Sequence, residues 1–196
     1  MEPLPTLAPY PTRHPQSCAS LSLPLLAFLH TTLPAPPALT FSIGSGHGLL
    51  EALLLHHYPA RAGTDPITLY GIEVAAAAAA APGPVNRFLP EPHALVVPGT
   101  WAVAPEGVLC RAEGLVFVYP RQAGLVGRYL RGERVRVVVW VGPRCDLEEM
   151  TTPLRAWGEV KGEGEGLVED GEAVLVFRRS LLASDQFSPI LNWLPP

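Results

Sequence analysis

Short, nearly all-apolar runs recur along the chain at Leu39–Ile43, Ile67–Ile72, His93–Val97, Gly114–Tyr119 and Val135–Val141. Runs of this length without polar alternation are the signature of strands buried on both faces of a parallel sheet. Longer stretches with helical spacing lie between them. Ser20–Leu33 places Leu21, Leu25, Phe28 and Leu29 on one face, with Ser20 or Ser22 as cap and Pro24 in the first turn. Leu49–Tyr58 and Gln122–Leu130 read as the next clear helices, and Pro34–Pro37 and Pro59 are stops. The alanine run Ala75–Ala81 reads either as a helix start or as a low-complexity loop insertion, with Val85–Leu89 as a possible extension of the helical region. Val103–Arg111 is undecided. Asp146–Met150 reads as a polar helical turn, and Leu154–Val160 with Glu172–Arg178 as a closing strand pair joined by the glycine-rich 161–166 connection. That pair predicts an antiparallel edge on an otherwise parallel sheet.

Composition narrows this picture. A chain of 196 residues, 48% hydrophobic, suffices for one domain with a sizeable core. Residues 1–19 carry Pro3, Pro5, Pro9, Pro11 and Pro15 and read as an extended arm. The domain proper is expected over 20–180. The tail 181–196, with Phe187, Ile190, Leu191, Trp193 and Leu194, is expected to pack on it. Only 16% of residues are charged and the net charge is −4. This weighs against a nucleic-acid partner, because nucleic acid is bound mainly by cationic surface. Arg131, Arg134 and Arg136 read as a solvated strand entry. Cys18, Cys110 and Cys145 are far apart, and the histidines form no metal-binding pair, so neither a disulfide framework nor a metal site is expected. Unpaired cysteines fit a reducing, cytoplasmic setting. No apolar run reaches the roughly 20 residues of a membrane span, and Met1-Glu2-Pro3 lacks the basic head of a secretory signal. A soluble protein with no membrane partner is expected.

Candidate chemistry concentrates where the strand Leu39–Ile43 meets Gly44-Ser45-Gly46-His47-Gly48 and then a helix. Glycines allow a sharp turn and a close backbone approach, and the helix start offers N–H groups and a positive dipole end to a negative group. A dinucleotide fingerprint would require a third glycine at position 49, where Leu49 stands, which speaks against a nicotinamide-dependent oxidoreductase. Glu73, at the end of the second predicted strand, is a carboxylate able to accept both hydrogens of a ribose diol.

The glycine turn and Glu73 together resemble the class I S-adenosylmethionine-dependent methyltransferases over residues 20–178. The resemblance implies an α/β fold: a three-layer Rossmann-like sandwich around a mostly parallel seven-stranded sheet with an antiparallel last strand. It implies S-adenosyl-L-methionine as cofactor, with Gly44, Ser45, Gly46 and His47 along its methionine part, Glu73 on the ribose, and Thr100 and Trp101 (after Gly99) around the adenine. The acceptor would sit above strands four and five. There Tyr119 would orient it, and Arg121 and Arg144 would bind a carboxylate or phosphate, with Asp146 near Arg144. Three departures stand out: Ser42 where the family often has an acid, no evident acid after strand three, and Val118-Tyr119-Pro120-Arg121 in place of an N-P-P-Y-type motif. The expected function is methyl transfer to a small-molecule acceptor. A non-catalytic methyltransferase-like module serving as a subunit or scaffold is the alternative, with a protein partner or a homodimer in view.

Overall fold

The computed structural model describes residues 2–58, 68–74 and 86–179. The alanine run 75–81, Ile67 and the tail 181–196 lie outside the described residues. Seven strands form one sheet: β1 (Leu39–Ile43), β2 (Thr68–Val74), β3 (Ala94–Val97), β4 (Ala112–Val118), β5 (Val137–Pro143), β6 (Gly158–Glu163) and β7 (Glu172–Arg179). Their spatial order is β3-β2-β1-β4-β5-β7-β6. β1 pairs in parallel with both β2 and β4, so the order of connection reverses between β1 and β4. β7 runs antiparallel to β5 on one side and to β6 on the other. This is the mostly parallel sheet with one reversed, last strand that the sequence pattern predicts.

Period-two alternation within the apolar strands gives the sheet two cores. In β4, Val116 and Val118 face one way and Leu115 and Phe117 the other. The first core takes α1 (Leu23–Thr32) and α2 (Leu49–His57) through Leu25, Leu29, Leu50 and Leu53. The second packs α4 (Ala123–Tyr129) and α5 (Leu147–Trp157) through Val126, Tyr129, Met150 and Leu154 against Phe117 and Trp140. A single turn of helix, α3 (Glu106–Leu109), occupies the stretch that the sequence leaves undecided. α1 starts where Ser22 Oγ accepts the Leu25 N–H at 3.1 Å, with Pro24 just inside the helix.

Three expectations are corrected. Residues Leu147–Trp157 form one helix with Pro153 inside it, so β6 begins only at Gly158, where Leu154 had been placed in a strand. Leu154 is a core-facing helical residue and fully buried. Lys161–Glu163 belong to that edge strand, not to a flexible connection: Gly162 and Glu163 pair with Val176 and Leu175 of β7, with Lys161 at a register shift between them and Val160. Asn86–Leu89 is irregular, not helical: the Arg87 and Phe88 N–H groups both donate to the His47 carbonyl, at 3.0 and 3.1 Å. The peptide groups that would have continued a helix instead brace the glycine turn.

The N-terminal arm folds back on itself and on the domain. Thr12 and Leu21 exchange backbone hydrogen bonds of 3.0 and 2.9 Å, and Leu4 and Leu7 pack on the first core. No described helix is long and apolar enough to cross a membrane.

Candidate functional site

The site lies at the carboxyl ends of β1, β2 and β4, where the order of connection in the sheet reverses. The glycine turn is fixed from below. Gly44 N–H donates to Ile72 O at 2.9 Å, and Gly48 N–H to Ser45 O at 2.8 Å. Gly44, Gly46 and Gly48 all have positive φ. Gly48, at φ +77°, has no room for a side chain, since a Cβ would stand 2.7 Å from Asn86 Oδ1 and from Leu89 Cβ. At Gly46, φ +56°, a Cβ would meet nothing within 4 Å. One glycine is demanded by packing, while the other leaves open space over the turn.

That space belongs to a cavity of about 380 Å³. Gly44, Gly46, Glu73, Gly99 and Thr100 line it on the side of β1, β2 and β3; Tyr119, Pro120, Arg121 and Gln122 line it beyond β4. Glu73 is half-buried, with Oε2 accepting the Gly46 N–H at 2.6 Å and Oε1 its neighbour Val74 N–H at 2.7 Å. The carboxylate thus ties β2 to the glycine turn. Cys18, from the arm, closes one side of the cavity.

A smaller cavity of about 190 Å³ lies behind the turn, between it and the arm. Ser45 and His47 line this one; Cys18, Gly44, Gly46 and Val118 line both. The structure therefore brings Gly44, Gly46, Glu73, Thr100, Tyr119 and Arg121 around one space, and Ser45 and His47 around its extension. Trp101 lies outside the lining of both: it is 62% exposed, with its indole folded over Gly99. Arg144 also lies elsewhere. Its Nε donates to Asp170 O and its N–H to Gly171 O, both at 2.9 Å, which clips the end of β5 to the turn before β7.

Tyr119 stands just past β4 with φ +50°, the described non-glycine residue with positive φ. Its hydroxyl donates to Glu172 Oε1 and receives a hydrogen bond from Arg13 Nη1 at 3.5 Å. Glu172 is fully buried. It accepts the Ser20 hydroxyl and the Ser20 N–H as well, and pairs with Arg13 at 3.3 Å. Burial, followed by the hydrogen bond to Glu172, pushes the Tyr119 hydroxyl up to about 12. The side chain expected to orient an acceptor lines the larger cavity and also pins β4 to β7 and the arm.

Sequence reasoning passes over Glu51, which sits in the first turn of α2 and is buried. Its Oε1 accepts the Ser42 hydroxyl at 2.5 Å. Its Oε2 is buried and has no hydrogen-bond partner, and Glu51 is among the residues that line the smaller cavity. Desolvation pushes this carboxyl up to about 7. The signal was present in the sequence as an acid inside the otherwise apolar run Leu49–Leu55.

No family model and no curated protein sequence matches the chain. Solved structures do. A dimethyladenosine transferase from Plasmodium falciparum superposes with a TM-score of 0.52 at 11% identity, over 84% of this chain and 66% of that one. A class I S-adenosylmethionine-dependent methyltransferase from Listeria monocytogenes gives 0.50 at 9% identity, over 88% of this chain and 60% of that one. A tRNA methyltransferase from Streptococcus pneumoniae, solved with S-adenosyl-L-methionine, gives 0.49 at 15% identity, over 86% and 79%. The structural neighbours are class I S-adenosylmethionine-dependent methyltransferases, and the chain has their Rossmann-like fold, at identities that place no subfamily.

One expectation falls with this finding. Nucleic acid had been excluded as a partner on net charge, yet a dimethyladenosine transferase shares the fold. Net charge sums over the whole surface and does not report the field at one mouth.

Proposed function

We propose that the protein is an S-adenosylmethionine-dependent methyltransferase. The observation that carries this reading is the open space over Gly46, bounded by Glu73 from β2 and lying at the reversal point of the sheet. The residues present fit the cofactor. Gly44 and Gly46 offer backbone free of side chains, Glu73 offers a carboxylate for a ribose diol, and Gly99 and Thr100 border the space beyond β3. The bound cofactor supplies an electrophilic methyl group on a sulfonium.

This chain's own contribution is then mainly to place an acceptor and exclude water. Of the described lining residues of the larger cavity, Cys18, Glu73, Tyr119, Arg121 and Tyr129 carry ionisable side chains. Glu73 is engaged by the glycine turn, and Tyr119 by Glu172. Burial pushes the Tyr129 hydroxyl up as well, so neither tyrosine is tuned toward neutrality as a general base. The site suits an acceptor that is already nucleophilic. It presents one such group at the rim formed by Pro120, Arg121 and Gln122; exposed Arg121 would bind an acidic group beside it. A small molecule meets this requirement, and so does one base drawn out of a nucleic acid. The engagement of Tyr119 by Glu172 and Arg13 also favours a second reading, a methyltransferase-like module that binds the cofactor without transferring its methyl group.

The test is calorimetric titration with S-adenosylmethionine and S-adenosylhomocysteine, with Glu73→Ala alongside. Micromolar binding (about −8 kcal/mol) that weakens in Glu73→Ala is expected. No heat and no thermal stabilisation at millimolar ligand overturns the reading. Given binding, transfer of labelled methyl to a small-molecule extract or to an RNA fraction names the acceptor class; transfer to neither favours the module.

A further inference from the structure

Four of the chain's 14 basic side chains, Arg111, Arg128, Arg131 and Arg134, line one cavity of about 690 Å³. It shares no lining residue with either cavity at the glycine turn. It lies toward the amino ends of β4 and β5. Arg111 directly precedes β4, and Arg131 and Arg134 stand in the connection from α4 to β5. The seven residues of β4 set Arg111 about 25 Å from Tyr119 at the other end of the strand. In the sequence only a run of three is apparent, Arg131, Arg134 and Arg136. The fold changes its membership. Arg128 joins from the last turn of α4 and Arg111 from the approach to β4, while Arg136 is not among the lining residues and pairs with Glu113. The four lining guanidinium groups form no ion pair with any described residue, although the carboxylates of Glu106 and Glu133 line the same cavity. Arg111, Arg131 and Arg134 are exposed, so their N–H groups are open to a ligand arriving from solution. Four positive charges against two negative leave +2 here, in a chain of net charge −4. Like charges gathered around one concavity repel each other and concentrate anions there.

The shape and chemistry of the wall narrow the anion. Each guanidinium can take two oxygens of one phosphoryl group, so four suit two phosphoryl groups better than a single carboxylate. Val103, Ala104 and Leu109 add an apolar part to the wall, which a bare inorganic anion would leave unused. A cavity of this size holds a whole small molecule. Glu106 and Glu133, both exposed, confine the positive stretch to the cavity, which favours a compact ligand over a long polyanion. We propose that this cavity is a second ligand site that binds a small organic diphosphate, with its phosphoryl groups on the four arginines and its organic part against Val103 and Leu109. The site stands independently of the methyltransferase reading.

Calorimetric titration of inorganic pyrophosphate, uridine 5′-diphosphate and uridine into the full chain tests it, alongside an Arg131→Gln/Arg134→Gln double variant and Arg136→Gln. Wild type is expected to bind pyrophosphate, to bind uridine diphosphate about tenfold tighter, and to ignore uridine. The double variant is expected to weaken uridine diphosphate binding about a hundredfold, at about tenfold for each charged contact. Arg136→Gln, which removes the same charge two residues away, is expected to stay within about twofold of wild type. Failure of wild type to bind pyrophosphate or uridine diphosphate overturns the proposal, and needs no variant to fold. So does equal affinity for the two, an undiminished affinity in the double variant, or an equal loss in Arg136→Gln. A single-stranded RNA that binds more tightly than uridine diphosphate at matched phosphate concentration, and loses its affinity in the double variant, overturns the small ligand and assigns these arginines to a nucleic-acid backbone.

Discussion

The buried carboxyl of Glu51 makes stability depend on pH in a defined window. Its ordinary value is 4.5 and the folded protein holds it near 7, with desolvation as the largest cause. An unfolded chain releases this proton at the lower value, so between the two the folded state binds more protons than the unfolded one. Stability therefore falls as pH rises through that window and levels off above it. Each pH unit between the two values corresponds to about 1.4 kcal/mol, which gives a total of about 3 kcal/mol lost between pH 4.5 and 7. Glu51→Gln keeps an oxygen for the Ser42 hydroxyl at 2.5 Å and has no charge to desolvate. Urea unfolding of both proteins at half-unit steps from pH 5 to 8 is the assay, read as the difference between them. Subtraction cancels the groups that do not interact with Glu51; the charge of Glu73 on β2 does act on it, and His47 on the turn and Cys18 on the arm line the same smaller cavity. The variant is expected to gain on wild type by about 2–3 kcal/mol across the range, with the gain complete by about pH 7.5. Two parallel curves would show that Glu51 keeps an ordinary carboxyl in the folded protein.

Other outcomes follow from the same geometry. Gly48→Ala places a Cβ 2.7 Å from Asn86 Oδ1 and Leu89 Cβ in a left-handed residue, and chemical denaturation should show a loss of about 2–4 kcal/mol. At Gly46 an added Cβ meets nothing within 4 Å, so Gly46→Ala should lose only about 1–2 kcal/mol of stability from the backbone alone, while S-adenosylhomocysteine binding weakens in calorimetry. Tyr119→Phe deprives buried Glu172 of one donor and should lower stability by about 1–3 kcal/mol, with cofactor affinity within about twofold of wild type. Arg144→Ala, which removes a clip to Asp170 O, should lower stability by about 1 kcal/mol and leave ligand affinity untouched.

The parallel sheet was legible because its strands are short, apolar and separated by helical spacing, and each face of β4 and β5 demands the same kind of side chain. The last third was less so. Leu147–Trp157 contains Pro153 and few apolar residues, which disguises a helix that draws its stability from burying Met150 and Leu154 on the second core. Glu73 was placed by its position at a strand end, and the structure puts it against Gly46. Arg144 and Trp101 were placed near the site by adjacency to strand ends alone. Adjacency does not fix side-chain direction, and Arg144 turns toward Asp170 while Trp101 turns over Gly99. The anchoring of Tyr119 could not be read from its neighbours in sequence, since its partners Glu172 and Arg13 are 53 and 106 residues away. Glu51 was readable in principle as a lone acid in an apolar helix, but only the fold shows that Ser42 answers one of its oxygens and nothing answers the other.

The insertion of β7 between β5 and β6 has a consequence for any shortened form of the protein. β5 is buried along Val137–Val141 and finds one of its two neighbours only in Glu172–Arg179. A chain cut after Trp157 would keep β1 to β5 in order and leave Val137-Val138-Val139-Trp140-Val141 as a bare, flat, uncharged margin. Such a margin is a template for pairing with another copy of itself. Fragments made to isolate the glycine turn and its cavity are therefore expected to precipitate as ordered aggregates, unless the terminal strand is supplied separately as a peptide to close the edge.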